Sequence, residues 1–228
     1  MRVLTWNLFH GRSVPPTGRD LHAHFAAVLA GWDWDVALLQ EVPPWWAPRL
    51  ARACDAYART ALTSRNVPLP GLRRRLADRA PDVMKSAGGG ANTILVRGMT
   101  ITDHRRIVLR RWPERRVCHA VALEGAPLCA NLHAQAHSEA RAQADSARAG
   151  SATLAWSGGG PALLGGDFNV RAPRAPGLEW LGGHGVDHVL GHDVRPGDEP
   201  PRILDHGDLS DHAPVLVTIL PREVVRSG

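Results

Sequence analysis

Polar side chains that can bind cations or move protons stand at the ends of several apolar segments. VLTWN ends at Asn7, VALLQE at Glu41 and LCANLH at His133, and ALLGGDFN ends with Asp167 and Asn169. Side chains alternate along a strand, so Asp167 and Asn169 share one face while Phe168 points to the other. Such groups at the rim of a rigid sheet can converge on one pocket.

Two further polar sites precede apolar segments. Asp187 lies near the start of GVDHVL, and Asp211 and His212 come directly before APVLV. The carboxylates and amides of the whole set are hard oxygen donors of the kind that Mg²⁺ prefers, and Mn²⁺ is a possible substitute. His133 and His212 can transfer protons or donate to a phosphate oxygen. The sequence contains no HExxH motif and no thiolate set for zinc.

The elements that must position these residues follow from hydrophobic periodicity. The pattern predicts a helix over 20–32 that is capped by Asp20 and a helix that begins near the proline of segment 45–58. A third, long helix is predicted over 137–157. The predicted strands are listed here by range: 2–8, 35–42, 92–98, 100–109, 115–125, 127–135, 161–169, 185–191, 201–207 and 212–220.

The order of these elements predicts the fold class. The four strands between 92 and 135 are joined by short turns, which indicates an antiparallel run. Helix–strand units on both sides of this run favour an α+β fold, a four-layer α/β/β/α sandwich of two mostly antiparallel sheets flanked by helices. With no repeat and no clear linker, residues 1–228 are predicted to form a single domain. Segment 64–90, rich in proline and arginine, is predicted to be a long loop with a short helix around LRRRLADR.

Composition limits the possible function classes. The net charge is +5, but Lys85 is the only lysine among 27 basic residues, a bias typical of a GC-rich coding sequence and weak evidence for a nucleic-acid partner. A basic surface still favours anionic substrates. Cys54, Cys118 and Cys129 lie far apart and are expected to be buried thiols in a reducing compartment. There is no apolar run long enough for a transmembrane helix and no signal-peptide pattern, so a cytoplasmic protein is expected.

Six motifs occur in an order that resembles the endonuclease/exonuclease/phosphatase superfamily, which has the DNase I-like fold. They are TWNLFHG, LLQEV, NLHAQ, LLGGDFN, VDHVLG and LSDHAPVLV, and the resemblance runs from Arg2 to about Leu220. GDFN alone would be a moderate signal and SDH a weak one. Six ordered matches, each at a predicted strand end, are far more specific.

The resemblance implies a role for each matching residue. Asn7 and Glu41 would hold the divalent metal, with Asp211 assisting directly or through water. Asp167 would orient or deprotonate the attacking water. The remaining roles would be phosphate contact by Asn169, donation to the phosphoryl oxygens or proton transfer by His212, positioning of His212 by Asp187, and assistance to the leaving group by His133. The family is described with either Asp167 or the Asp187–His212 pair as the base, and the sequence does not decide between them.

The predicted function is a Mg²⁺-dependent phosphoric ester hydrolase that cleaves a phosphodiester, with DNA or RNA as the first-choice substrate and a monomeric state. The alternative within enzymes is a phosphatase or phosphodiesterase acting on a small-molecule or lipid-linked phosphoester. A non-catalytic binding module is the third hypothesis, and it is disfavoured because suitable groups fill all the expected polar positions. Segment 64–90 is the main candidate for substrate specificity.

Several residues have weaker functional signals. His10 lies three residues beyond Asn7 and is a candidate for lining the pocket, and Arg115 and Arg116 are candidates for gripping a substrate phosphate. His137 competes with His133 for the same role. Trp45 and Trp46 are predicted to be core or rim residues, with base stacking or a lipid-facing edge as the alternative. The basic cluster within 73–85 is predicted to be solvated, with contact to a nucleic-acid backbone as the alternative.

Overall fold

Two β-sheets pack face to face with helices on their outer surfaces, so the predicted α/β/β/α sandwich is confirmed. The structure is a computed structural model, and it describes residues 1–63 and 90–222. The predicted loop and short helix of segment 64–90 and the basic cluster within 73–85 lie outside the described residues, apart from Gly90. Within the described residues, no helix is long and apolar enough to cross a membrane.

The first sheet has the strand order β11–β13–β1–β2–β4–β3, with the short β12 also paired to β13. Its strands β1 and β2 are parallel, and its other neighbours are antiparallel. The strand bounds are β1 Arg2–Asn7, β2 Val36–Val42, β3 Tyr57–Leu62, β4 Ala91–Val96, β11 Val194–Pro196, β12 Arg202–Ile203 and β13 Val215–Pro221.

The second sheet has the order β5–β6–β7–β8–β10–β9, and only β7 and β8 are parallel. Its strands are β5 Ile101–Arg110, β6 Arg116–Leu123, β7 Leu128–His133, β8 Ala162–Asp167, β9 Glu179–His184 and β10 Asp187–His192. The parallel pair β7–β8 is joined by the long helix, as a crossover between parallel strands requires. This pairing puts His133 directly opposite Asp167.

The α-helices within residues 1–63 and 90–222 are α1 His22–Gly31, α2 Ala47–Ala53 and α3 Glu139–Ser157. Buried side chains fall into three clusters that correspond to the three interfaces between layers. One lies between α1, α2 and the first sheet and contains Trp6 and Phe25. The second lies between the sheets and contains Leu38 and Val189. The third lies between the second sheet and α3.

The structure corrects several predicted elements. The predicted helix over 45–58 is only α2, because the chain turns after Cys54 and forms the edge strand β3. β4 does not continue the predicted antiparallel run into β5, since it inserts between β2 and β3 in the other sheet. The predicted cap Asp20 is not the N-cap of α1, which is Leu21 and has no side-chain cap hydrogen bond. Asp20 lies one residue earlier, and its Oδ1 accepts a hydrogen bond from the His22 backbone N–H (2.9 Å).

The predicted tryptophan pair belongs to the core under the first sheet. Trp46 is buried and its ring packs against Phe25 and His22, and Trp45 packs against the same cluster. A Cβ atom on Gly11 would lie 2.4 Å from the Trp46 ring, so the indole supports the loop after β1 from below. Trp46 is therefore a structural residue that holds the TWNLFHG segment in place.

Candidate active site

The predicted catalytic residues converge on one open cavity of about 310 Å³. It lies at the edge where β1, β2, β7 and β8 all end, so both sheets contribute to its wall. The lining residues are Asn7, Phe9, His10, Arg12, Glu41, Glu114, Arg116, His133, Ala136, His137, Asp167, Asn169, Asp211 and His212. Nine of the eleven predicted site residues are in this set. The exceptions are Asp187, which lies behind His212, and Arg115.

Glu41 is aimed into the cavity by an irregularity in β2. The register between β2 and β4 shifts between Leu39 and Val42, and Glu41 has a positive φ of 51°. A bulge of this kind re-directs a side chain that regular alternation would place elsewhere. One carboxylate oxygen, Oε2, lies 3.1 Å from His10 Nε2. Burial and the neighbouring charge of Asp167 raise the pKa of Glu41 to about 7.

Asp167 forms the buried floor of the cavity at the end of β8. Asn7 Nδ2 donates to its Oδ2 (3.0 Å), and the backbone N–H of Asn169 donates to its Oδ1 (2.9 Å). Asn169 in turn donates from Nδ2 to the Ala134 carbonyl oxygen (3.0 Å) and has a positive φ of 52°. Burial raises the pKa of Asp167, whereas the charge of His212 and these hydrogen bonds oppose that shift. The carboxylate is thus fixed in orientation and disposed to accept a proton.

The two glycines before Asp167 are required by close packing. A Cβ atom on Gly165 would lie 2.5 Å from Leu38 Cδ1 in the other sheet. One on Gly166 would lie 2.1 Å from the Leu132 carbonyl oxygen of β7, and Gly166 has a φ of +142°, which L-residues rarely adopt. The glycines therefore let β8 approach both the opposite sheet and its parallel neighbour, and this approach places Asp167 beside His133.

His212 and the buried Asp187 form a hydrogen-bonded pair at the side of the cavity. His212 Nδ1 lies 2.7 Å from Asp187 Oδ2, and His212 Nε2 lies 3.8 Å from Asp167 Oδ2. Burial alone would lower the pKa of His212, but the hydrogen bond and charge of Asp187, together with Asp167, raise it to about 9. The imidazole is therefore protonated at neutral pH, and it is a hydrogen-bond donor toward the cavity.

The loop that carries His212 is anchored to the end of β1. The Ser210 hydroxyl donates to the Asn7 carbonyl oxygen (2.6 Å) and accepts from the His212 backbone N–H (3.1 Å). Trp6 Nε1 also donates to the His212 carbonyl oxygen (2.9 Å). Asp211, which is exposed, points into the same cavity next to His212.

His133 lies between the two central carboxylates. Its Nε2 is 3.4 Å from Asp167 Oδ2, and its Nδ1 is 4.0 Å from Glu41 Oε1. Burial, and next the charge of Arg116, hold the pKa of His133 well below its ordinary value, so this imidazole is neutral at neutral pH. His137, the competing candidate, also lines the cavity but lies at its exposed rim.

Arg116 provides a buried cation in the cavity wall. Its guanidinium donates to Glu114 Oε2 (2.5 Å), and its Nε donates to Gln135 Oε1 (3.4 Å). Arg115 is directed elsewhere, because its Nη1 donates to the carbonyl oxygen of Leu62 at the end of β3 (3.0 Å). The structure thus brings only one of the two predicted arginines into the cavity.

Four lining residues were not predicted from the sequence: Phe9, Arg12, Glu114 and the apolar Ala136. The Arg12 guanidinium carbon lies 3.6 Å from the centre of the Phe9 ring, so the two form one wall. Their only sequence signal is proximity to Asn7, and that of Glu114 is proximity to Arg116. Such proximity did not separate them from the many other arginines and acids of the chain.

The donor set of the cavity fits a divalent cation. Glu41 and Asp211 line the cavity with carboxylates, which are hard ligands suited to Mg²⁺ or Mn²⁺. Asn7 lines it as well, with its Oδ1 accepting a hydrogen bond from the Phe9 backbone N–H (2.9 Å). The charge of the buried Asp167 raises the pKa of the partly buried Glu41, and a bound cation would relieve this repulsion. A second grouping is also possible, because ligand atoms of Asp167, Asp187 and His212 all lie within 4.8 Å of one another.

Comparison with known proteins agrees with the motif order. The chain matches the sequence model of the Endonuclease/Exonuclease/phosphatase family over residues 4–212. No curated protein matches the chain significantly.

Similar solved structures share the fold at low sequence identity. The mannosyl-6-phosphatase Bt3783 of Bacteroides thetaiotaomicron has a TM-score of 0.71 and 16% identity, and the match covers 96% of this chain and 99% of that one. An endonuclease/exonuclease/phosphatase of Beutenbergia cavernae has a TM-score of 0.69 and 18% identity, and the match covers 97% of this chain and 71% of that one. TDP2 of Caenorhabditis elegans has a TM-score of 0.64 and 16% identity, and the match covers 96% of this chain and 74% of that one.

Proposed function

The chain belongs to the endonuclease/exonuclease/phosphatase family, and from this membership we propose that it is a divalent-metal-dependent phosphodiesterase with a nucleic acid as its first-choice substrate. Members of this family hydrolyse phosphoesters. The observation that carries the proposal is the arrangement around Asp167: an oriented carboxylate with Glu41, His133 and the Asp187-held His212 all facing one cavity. We further propose a single catalytic domain that acts as a monomer in the cytoplasm.

Each side chain has a part in hydrolysis of the ester. The Asp167 carboxylate orients a water molecule and takes its proton as the oxygen attacks phosphorus. This role agrees with the raised pKa of Asp167, because a base must hold the proton that it removes. His212, protonated and held by Asp187, donates to a phosphoryl oxygen and stabilises the charge that develops there. Arg116 adds a fixed positive charge to the wall.

The neutral imidazole of His133 and the amide of Asn169 complete the proposed phosphate site. Asn169 lies beside Asp167 and would contact the phosphate. The N–H of the neutral His133 would donate a hydrogen bond to the leaving oxygen, which takes its proton from solvent. Asn7, Glu41 and Asp211 would hold the metal ion. When bound, a divalent cation supplies Lewis-acid neutralisation of the charge on the transferring group.

A phosphatase or phosphodiesterase acting on a small-molecule phosphoester is the second candidate. It is favoured by the modest volume of the cavity and by the structural similarity to a mannosyl-6-phosphatase. The similarity to TDP2 extends over as much of the chain, at a lower TM-score. Because these identities are low, the neighbours support the fold, and the substrate has to be found by experiment.

An assay with three substrates distinguishes the candidates. Bis(p-nitrophenyl) phosphate, p-nitrophenyl phosphate and plasmid DNA are each incubated with Mg²⁺, Mn²⁺ or EDTA. We expect metal-dependent turnover of the diester and of DNA, and a decrease of about 10²- to 10⁴-fold in Asp167→Ala because its general base is lost. Turnover of the monoester alone would contradict the diesterase proposal. Turnover of no substrate with any metal would favour a non-catalytic module.

A further inference from the structure

The turn between β5 and β6, residues 111–115, lies at the mouth of the candidate active site. β6 runs antiparallel to β7, with Cys118 opposite Leu132, so the start of β6 lies beside the end of β7 where His133 is found. Glu114 and Arg116 accordingly line the cavity. The bond from Arg115 to the carbonyl oxygen of Leu62 also ties this turn to the first sheet. The turn therefore spans the two sheets at the rim.

Trp112 at this turn is exposed to an unusual degree. Its side chain is 81% exposed, the highest value among the large apolar residues that the structure describes. Trp6, Trp34 and Trp46 are by contrast buried in the core. An exposed indole forgoes the free energy that burial would provide. Aromatic side chains beside a positively charged groove are surfaces on which the bases of single-stranded nucleic acids stack.

The charges around Trp112 favour an anionic partner. Segment 110–116, RRWPERR, holds four arginines and one glutamate, a net charge of +3. Arg110 is engaged by Asp145, Arg115 by Leu62 and Arg116 by Glu114. Arg111 is exposed, and it has no hydrogen-bond partner among residues 1–63 and 90–222. A free guanidinium thus stands next to an exposed indole.

We propose that Trp112 stacks on the base of the nucleotide that flanks the scissile phosphodiester, while Arg111 contacts the next phosphate of the strand. This inference rests on the proposed phosphodiesterase function and specifies its substrate class. An indole can stack on a base, and a guanidinium can bind a phosphate through paired hydrogen bonds. Because stacking needs an accessible base face, Trp112 would make this contact with a single strand, a strand end or a nucleotide ester, and not with an intact duplex.

The position of Trp112 determines which kinetic constant it affects. Trp112 is not among the residues that line the cavity, so we expect it to bind the substrate equally in the ground state and the transition state. Loss of such uniform binding raises KM and leaves kcat unchanged. A general effect on the fold or on the catalytic groups would change kcat instead.

Two substrates that differ only in the base test the inference. They are the p-nitrophenyl ester of thymidine 5′-phosphate and the corresponding ester of abasic 2-deoxyribose 5-phosphate, both assayed with Mn²⁺. We expect Trp112→Ala to raise KM for the thymidine ester by about 5-fold or more and to leave KM for the abasic ester unchanged. Trp112→Phe should keep most of the affinity. The matched control is Tyr57→Ala, which removes an exposed aromatic from the far end of β3.

The outcomes separate the inference from the function on which it rests. An unchanged KM for the thymidine ester in Trp112→Ala, with both esters hydrolysed, would overturn the inference and leave the phosphodiesterase standing. An equal rise for both esters would also overturn it, because Trp112 would then contact the sugar. A wild-type protein that hydrolyses neither ester would refute the function itself, and the inference with it.

Discussion

Replacing Asp187 with asparagine tests whether its pairing with His212 serves catalysis. Asp187 is 4% exposed and its Oδ2 lies 2.7 Å from His212 Nδ1, so the hydrogen bond is short, charged and partly buried. A hydrogen bond to a charged group contributes about 1.5–3 kcal/mol. If this stabilisation acts in the transition state, and each 1.36 kcal/mol is a factor of ten, kcat in Asp187→Asn should fall by about 10- to 150-fold. KM should change little.

The measurement is steady-state hydrolysis of bis(p-nitrophenyl) phosphate at saturating Mn²⁺. Circular dichroism and a denaturant titration establish that the variant is folded. The control is Asp198→Asn, which removes the same charge from a side chain that is 93% exposed and remote from the cavity. A wild-type kcat in folded Asp187→Asn would show that the Asp187–His212 pair is only structural. A change confined to KM would assign it to substrate binding.

Three further predictions concern packing, pH and metal. Gly166→Ala should lower the free energy of unfolding by at least about 3 kcal/mol, because its Cβ would lie 2.1 Å from the Leu132 carbonyl oxygen. The control Gly160→Ala, whose Cβ would have its nearest atom at 3.4 Å, should have the same urea unfolding midpoint as wild type, and equal midpoints for the two variants would refute this packing. Burial lowers the pKa of His119 to about 3, so below pH 6.5 the unfolded chain binds a proton that the folded chain does not, and the free energy of unfolding decreases as the pH is lowered. His119→Asn should remove about 2 kcal/mol of the decrease in the free energy of unfolding between pH 7 and pH 5, and identical pH profiles of wild type and variant would contradict this. Mn²⁺ should raise the melting temperature of wild type but not of Glu41→Gln, and an equal rise in both would exclude Glu41 as a ligand.

The general positions of the site residues were predictable because they depend on local sequence. An apolar run that ends in a carboxylate or amide, as at Glu41 and Asp167, identifies a strand end without knowledge of the strand's neighbours. The glycine pair before Asp167 likewise indicated close backbone approach, which the contacts of Gly165 and Gly166 now explain.

The features that the sequence did not reveal depend on non-local contacts. β3 is an edge strand whose exposed and buried residues alternate weakly, and its alanines and arginine gave no β signal. Nothing in the run from β4 to β7 indicates that β4 joins the other sheet. The positive φ of Glu41 could not be predicted from a glycine at that position, because it follows from the register shift between β2 and β4. The side chains of Arg115 and Arg116 point in different directions because one contacts the end of β3 and the other faces the cavity beside the end of β7.

The division of the site between the two sheets has a consequence for how this enzyme can diverge. Asn7 and Glu41 belong to strands of the first sheet, whereas His133 and Asp167 belong to strands of the second. The apolar layer between the two sheets sets the width of the gap that a phosphate must fit. Gly165 against Leu38 is one of the contacts that defines this gap. A change of side-chain volume in that dry interior, remote from any reacting atom, would widen or narrow the catalytic opening. Interior substitutions are therefore a route by which preference among esters can shift while every active-site residue stays the same.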